Sequence, residues 1–410
     1  MATLTTRSIS CPQGPTAKAV RTFLFLQGPH GPFFSLLGRT LCTAGAQVFR
    51  VGFNSGDQAF WREKAGYIPF RASLIEWPDY LAKLIERHGV TDIVLYGDTR
   101  EIHAQAIKIA RARNMTIHVF EEGYLRPYWV TYERNGSNGH SRLMDISIAE
   151  MRAAVADPQA APSRPPAHWG DMRKHMFYGA LYHGMVMLGK SSYPRYQPHR
   201  NIPVGREFKL HFKRLLLQPT HALERRIATA RLRFGTFPYH LALLQLEHDS
   251  NFQSHSPFTK TTCFLSEVID GFAEGAPGHH HLVFKAHPLE DDRSPLRQNI
   301  RKLARNAGIE RRVHFIRGGK LARLLDDAQS AVTVNSTAGL QALWRGLPLR
   351  ARGESVYGKP ELVSNQPLSS FFADPTRPDT AACQDFRKFL LSTSQVPGGY
   401  YSTSGRRQLL

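Results

Sequence analysis

TDIVLYGDTREIHAQAIKIARARNMTIHVFEEG, residues 91–123, decides the fold: a short apolar run, a segment with helical spacing, and a second apolar run that ends on two glutamates and a glycine. TDIVLYGD (91–98) and TIHVFEEG (116–123) read as strands, and HAQAIKIARARN (103–114) reads as the helix between them. A strand, a helix and a second strand at this spacing form the crossover unit of a parallel sheet covered on both faces.

The same rhythm extends toward the N-terminus. TFLFLQGP (22–29) is an apolar run stopped by Gly and Pro, SLLGRTLCTAG (35–45) has helical spacing, and QVFRVGFN (47–54) is the next strand. WPDYLAKLIERHG (77–89) reads as a helix closed by Gly89. The pattern returns near the other end. HLALLQLEHD (240–249), HLVFKAHP (281–288), RVHFIRG (312–318) and AVTVNS (331–336) read as strands, separated by helical segments at 258–275, 294–308 and 321–328. TAGLQALWRG (337–346) follows as a further helix. The expected fold class is α/β, with two Rossmann-like domains separated by an insertion.

The expected limits are a flexible tail at 1–20, an N-terminal domain at 21–150, a connector with a basic helical insertion at 151–236, a C-terminal nucleotide-binding domain at 237–375, and a helix and tail at 376–410. The connector is proline-rich over 155–168. From Arg195 to Arg233, ten Lys and Arg face only Glu207 and Glu224, with leucines and phenylalanines between them.

The chain has 410 residues with Lys+Arg 53 against Asp+Glu 33, a formal charge of +20, so a polyanionic partner is expected. Nucleic acid, an anionic bilayer and a phosphorylated substrate all satisfy that charge. No apolar run reaches the roughly 18 residues of a membrane-spanning helix, and the first twenty residues lack the apolar core of a secretion signal. Four scattered cysteines suit a reducing cytoplasm.

Four strand ends carry chemistry. Ligands of open α/β sheets bind at the carboxyl ends of the strands, so Glu121 and Glu122 are expected at a cleft, although successive strand residues point opposite ways and only one can face a substrate. The segment that follows, with Arg126 and Asn138, supplies polar and aromatic groups suited to a sugar. In FKAHP (284–288), Lys285 and His287 can meet an anionic leaving group, with Pro288 fixing the exit of the strand. In TVNSTAG (333–339), Asn335, Ser336 and Thr337 read both as helix caps and as a phosphate cradle. Gln245 and Asp249, at the end of LQLEHDS (244–250), reach the same cleft. The histidine run 279–281 has no ligand spacing and reads as a solvated loop, so no metal or other cofactor is expected. Neither a Walker A loop nor a GxGxxG after a strand is present.

LQGPHGPFF (26–34), YGDTREIHAQA (96–106), FEEGYLRPYWVTYE (120–133), LQLEHDS, FKAHPLE (284–290) and VNSTAGLQAL (334–343) together resemble the capsular polysaccharide biosynthesis and export family of KpsS/LipB type. The resemblance implies a GT-B-like pair of Rossmann domains in a bacterial cytoplasmic enzyme peripheral to the inner membrane. It implies transfer of Kdo from CMP-Kdo, with retention, to an anionic phosphatidylglycerol-type lipid, in possible contact with a capsule export complex. The EEG and HP segments are also similar to motifs of bacterial sialyltransferases, which use CMP-activated keto sugars. On this basis Glu122 is expected as acid/base with Glu121 as its alternative, and Asp249 as nucleophile. His287, Ser336 and Thr337 would hold the CMP phosphate, and Gly28 joins the binding set. The basic stretch would dock on an anionic leaflet. A non-catalytic export factor and a CMP-sialic-acid-type transferase are the alternatives. A nucleic-acid binder is not expected, since no RRM, KH or helix-turn-helix pattern appears.

Overall fold

The computed structural model describes residues 20–62, 66–156, 172–197, 218–235, 237–288, 290, 294–317 and 320–410. The basic stretch between 198 and 217, the tail before residue 20 and most of the proline-rich connector lie outside these described residues.

The N-terminal lobe is built on β1 (Thr22–Phe25), β2 (Gln47–Gly52), β3 (Tyr67–Pro69), β4 (Asp92–Tyr96), β5 (Thr116–Glu122) and β6 (Trp129–Arg134). The C-terminal lobe is built on β7 (Tyr239–Leu243), β8 (His281–Ala286), β9 (Val313–Arg317), β10 (Ser330–Thr333) and β11 (Leu349–Ala351). Its sheet is parallel throughout, in the order β11-β10-β7-β8-β9. The chain then returns to the first lobe, where β12 (Gln395–Pro397) pairs antiparallel with β6. The first sheet therefore runs β12-β6-β5-β4-β1-β2-β3, parallel from β5 to β3 and antiparallel at the β6 edge. Two α/β lobes on mostly parallel sheets match the two Rossmann-like domains that the sequence pattern predicts, and the GT-B-like class that the family resemblance implies.

Parallel strands sandwiched between helices need apolar residues on both faces, and β5 shows how this sets direction. Ile117 and Val119 enter the apolar layer of Trp77, Leu81 and Ile107, under the helices Trp77–His88 and Glu101–Ala112. Phe120 points the other way, onto Phe33, Phe34 and the layer that holds Tyr400. The helix Trp77–His88 ends at Gly89, whose φ of 58° is the left-handed cap expected of it.

The lobes share one core. Tyr124, Leu125, Ile148 and Met151 of the first lobe pack in the same apolar cluster as Leu241, Leu340, Phe386 and Leu390. The last two lie on the helix Thr380–Thr393, which leads directly into β12. Across the same junction, Lys359 Nζ donates to the carbonyl of Met144 at 2.6 Å.

Two sequence expectations need correction. Residues 129–134, read as part of a ligand-gripping loop, form β6 and pair with β5 from His118↔Arg134 to Glu122↔Val130. The histidine run is not a solvated loop: His280 Nδ1 lies 2.9 Å from His240 Nε2, and His281 opens β8 with its Nδ1 2.7 Å from His314 Nε2.

Gly123 links β5 to this hairpin, and close backbone approach, rather than an unusual φ, is what demands glycine. A β-carbon there would collide with the carbonyls of Trp129 and Leu125, backbone atoms that cannot rotate away. Gly123→Ala should therefore destabilise the protein by about 1–3 kcal/mol, measured as a lowered midpoint in urea unfolding; an unchanged midpoint would refute the packing argument.

Candidate active site

The alternation of β5 separates the paired glutamates. Glu121 continues the face of Ile117 and Val119, and its carboxylate lies over Gly97 at the end of β4. Burial pushes this carboxyl up to about 7, and the negative charges of Glu122, Asp249 and Asp98 add to the rise. Asp249 belongs to the other lobe, so Glu121 is the glutamate that senses an acid across the cleft. Glu122 continues the face of Phe120 and is held there by phenols. Tyr96 donates to its Oε1 at 3.0 Å and Tyr401 donates to the same atom at 3.3 Å.

Asp249 caps the helix Ser250–His255, its carboxylate accepting from the backbone N–H of Asn251 at 3.2 Å. That bond fixes the side chain at the carboxyl edge of the second sheet, just beyond β7.

A cleft of about 440 Å³ opens between the lobes. Arg126 enters it from the first lobe, and Lys285, His287, Pro288, Ser336 and Thr337 enter from the second. Arg126 is exposed, with its Nε donating to the carbonyl of Gly123 at 3.0 Å. Lys285 is 6% exposed, and burial lowers its ammonium to about 8. No carboxylate pairs with it among the described residues. A buried cation without a counter-ion is costly, so this position favours an anion. Ser336 Oγ accepts from Ala338 N at 3.2 Å, while Thr337 makes no side-chain cap bond. The helix they open, Ala338–Leu343, has only 6 residues, so hydroxyls and Lys285 outweigh any macrodipole here.

Three expected binding residues serve the frame instead. Gln245 and Asn335 bond reciprocally, with Gln245 Nε2 donating to Asn335 Oδ1 at 2.8 Å and Asn335 N donating to Gln245 Oε1 at 3.0 Å. Asn335 Nδ2 also donates to the carbonyls of Asn251 and His255, each at 3.0 Å. Both side chains are thereby committed to holding the β7 and β10 loops together. Gly28 follows β1 and makes room for the ring of Phe34. Asn138 takes φ 52° and lines a small recess with Tyr124, Asn335 and Thr337, its backbone N–H donating to Tyr124 Oη at 2.7 Å.

Sequence reasoning did not single out Glu133, which organises the first-lobe wall. Tyr124 donates to its Oε1 at 2.7 Å and Ser141 donates to its Oε2, while burial pushes its carboxyl up to about 7. A strand reading of 129–134 would have turned it inward. Trp344, Gln341 and Arg387 also line the cleft without any sequence signal. A second cleft, of about 270 Å³, is lined by His248 and Ser250, the sequence neighbours of Asp249, together with Arg100, Arg195 and Tyr196.

The raised Glu121 pKa has a signed consequence. Between the ordinary 4.5 and about 7 the folded state binds a proton that the unfolded chain releases, so ionising this buried carboxyl costs stability as pH rises through that window. Glu121→Gln should unfold at higher urea than the parent at pH 8, with the difference shrinking toward pH 5. A variant less stable at pH 8 would contradict the buried-acid description.

The family model described as "Capsule polysaccharide biosynthesis protein" matches residues 91–401. The chain is similar to the capsule polysaccharide export protein KpsS of Escherichia coli, at 29% identity over 93% of this chain and 97% of the relative. It is similar to the capsule polysaccharide modification protein LipB of Neisseria meningitidis serogroup B, at 28% identity over 94% of this chain and 93% of the relative. A solved structure titled KpsC, beta Kdo 2,7 transferase, from Thermosulfurimonas dismutans aligns with TM-score 0.41 and 10% identity, over 91% of this chain and 90% of that one. The family match spans the EEG segment (121–123), His248–Asp249, His287–Pro288 and Asn335–Thr337, and the chain belongs to the capsule polysaccharide biosynthesis protein family.

Proposed function

We propose that the protein is a retaining glycosyltransferase that moves Kdo from CMP-Kdo to a phosphatidylglycerol- or lysophosphatidylglycerol-type lipid, starting the linker of a capsule chain. The observation that carries this reading is Lys285, a buried ammonium with no carboxylate partner among the described residues, in a cleft lined by both lobes, while Glu121 of one lobe feels the charge of Asp249 of the other. A CMP-sugar brings one phosphate, and Lys285, with His287, Ser336 and Thr337 around it, suits that charge. Family membership supplies the capsule context.

In this mechanism the Asp249 carboxylate attacks the anomeric carbon of Kdo, and CMP leaves with the bonding electrons on its phosphate. The lipid hydroxyl then attacks the glycosyl-aspartate, its proton passing to Glu121 as the bond to Asp249 breaks. A carboxyl near 7 is matched to that task at neutral pH. Glu121 therefore takes the acid/base role in preference to Glu122, whose carboxylate is occupied by Tyr96 and Tyr401. Arg126 and Asn138 would border the donor, and the second cleft, with Arg100 and Arg195, would receive the acceptor's phosphate.

Membrane proximity has a separate support. The helix Met172–Leu188 buries Tyr182 and Val186 against Phe60, yet leaves Phe177 62% and Leu188 84% exposed, with Leu181 and Met185 between them. Basic residues Arg173, Lys174 and Lys190 flank this apolar stripe, a composition suited to the interface of an anionic leaflet. Among the described residues no helix is long and apolar enough to cross a membrane.

Product mass spectrometry with CMP-Kdo and a fluorescent lysophosphatidylglycerol tests the reaction. Glu121→Gln and Asp249→Asn should each lower kcat by about 100-fold or more, Glu122→Gln should lower it less, and Lys285→Ala should act mainly by raising the KM for CMP-Kdo. No lipid product from the parent protein, or full turnover in both acid variants, would reject the assignment; product only with CMP-sialic acid would replace the sugar. In co-sedimentation with vesicles containing phosphatidylglycerol, Phe177→Asp combined with Leu188→Asp should weaken binding several-fold, and unaltered binding would remove this helix from the docking surface.

A further inference from the structure

Asp98, just beyond β4, His140, in the loop after β6, and His255, at the end of the helix that Asp249 opens, converge where the lobes meet. One candidate ligand atom from each lies within 4.8 Å of the other two. Among the described residues no other group of three His, Cys, Asp or Glu side chains converges in this way.

Two of these side chains carry polar atoms that nothing satisfies. The Asp98 carboxylate is 1% exposed; its Oδ2 accepts from Ser137 N at 2.9 Å and lies 3.2 Å from His140 Nδ1, while its Oδ1 is buried without a hydrogen-bond partner. His255 is 3% exposed and its Nε2 is likewise buried and unpartnered. Its Nδ1 stands 3.6 Å from Glu354 Oε2, too far for a good hydrogen bond. A buried polar atom left unsatisfied is costly, and two of them in one cluster of potential ligands call for a shared occupant. The approach of the two rings is also built in. His140 and His255 stand edge to face at 4.7 Å, and a β-carbon at Gly139 would collide with the His255 ring.

We infer that Asp98, His140 and His255 bind one divalent transition-metal cation across the seam between the lobes. Two imidazoles and one carboxylate are a donor set for Zn²⁺, Co²⁺ or Mn²⁺, whereas Ca²⁺ and Mg²⁺ prefer oxygen throughout. Two ligands come from the first lobe and one from the second, so the ion ties the lobes at the far end of the short helix that Asp249 caps. Its role is positional. The inference stands apart from the transfer reaction, because metal binding is measured without substrate.

The test uses the full-length, tag-free chain, stripped with chelator and titrated with CoCl₂ alone. The parent should develop saturable visible d–d bands at one equivalent, lost on adding Zn²⁺, and ZnCl₂ should raise its thermal midpoint. His255→Ala and His140→Ala should each abolish the bands and the shift; His140 is half exposed, so its variant keeps the fold in which His255 can be judged. His279→Ala, in the separate histidine run, should behave as the parent. No saturable band in the parent, equal stoichiometry in both His variants, or loss of binding in His279→Ala instead would overturn the site.

Discussion

Side chains leave a strand on alternate faces, and at the end of β5 that constraint sorts two adjacent carboxylates into different environments. Glu121 follows Ile117 and Val119 to the face where it lies over Gly97, and Glu122 follows Phe120 into a layer of aromatic rings. The second destination exists only because the chain returns. β12 pairs with β6, Tyr401 donates to Glu122, and Tyr400 donates to the carbonyl of Glu121 at 2.8 Å. A carboxyl near 7 and a phenol-bound carboxylate thus arise from one dipeptide by geometry alone.

The architecture was legible because its strands are short apolar runs at regular intervals with helical spacing between them, and β1, β2, β4, β5 and β7–β10 all appear where those runs lie. The short edge strands β3, β11 and β12 carry no such pattern, since an edge needs only a few paired residues. β6 was hidden by its aromatics, which read equally well as a sugar-binding surface. That the two glutamates must leave β5 on opposite faces followed from sequence; which face each one takes did not. In a strand covered on both faces, apolar residues occupy both parities and nothing local marks the cleft side.

The division between frame and ligand contact was equally opaque. Gln245 and Asn335 have the chemistry of substrate contacts, yet each spends its amide on the other. Lys285 reads in sequence as an anion contact, yet nothing there marks its burial with no acid beside it among the described residues, and Glu133, opposite Val119 in the β5–β6 pairing, supports the wall that Tyr124 presents. Buried, ionisable and imperfectly satisfied groups weaken a fold, and their concentration at the meeting of two lobes is the pattern of a site where stability has been traded for chemistry. Asp98, His140 and His255 belong to the same pattern, though they come from three separate segments.

The return of the chain also orders events in time. Tyr400 bonds to Glu121 from 279 positions away, and Gln395 accepts from Leu125 N across 270. Ribosomes deliver β1 to β6 long before β12, so the nascent first lobe waits with an unpaired sheet edge and an uncapped acid while the whole second lobe is made. Polypeptides that stop before residue 395 lack both the β12 edge and the Tyr401 bond to Glu122.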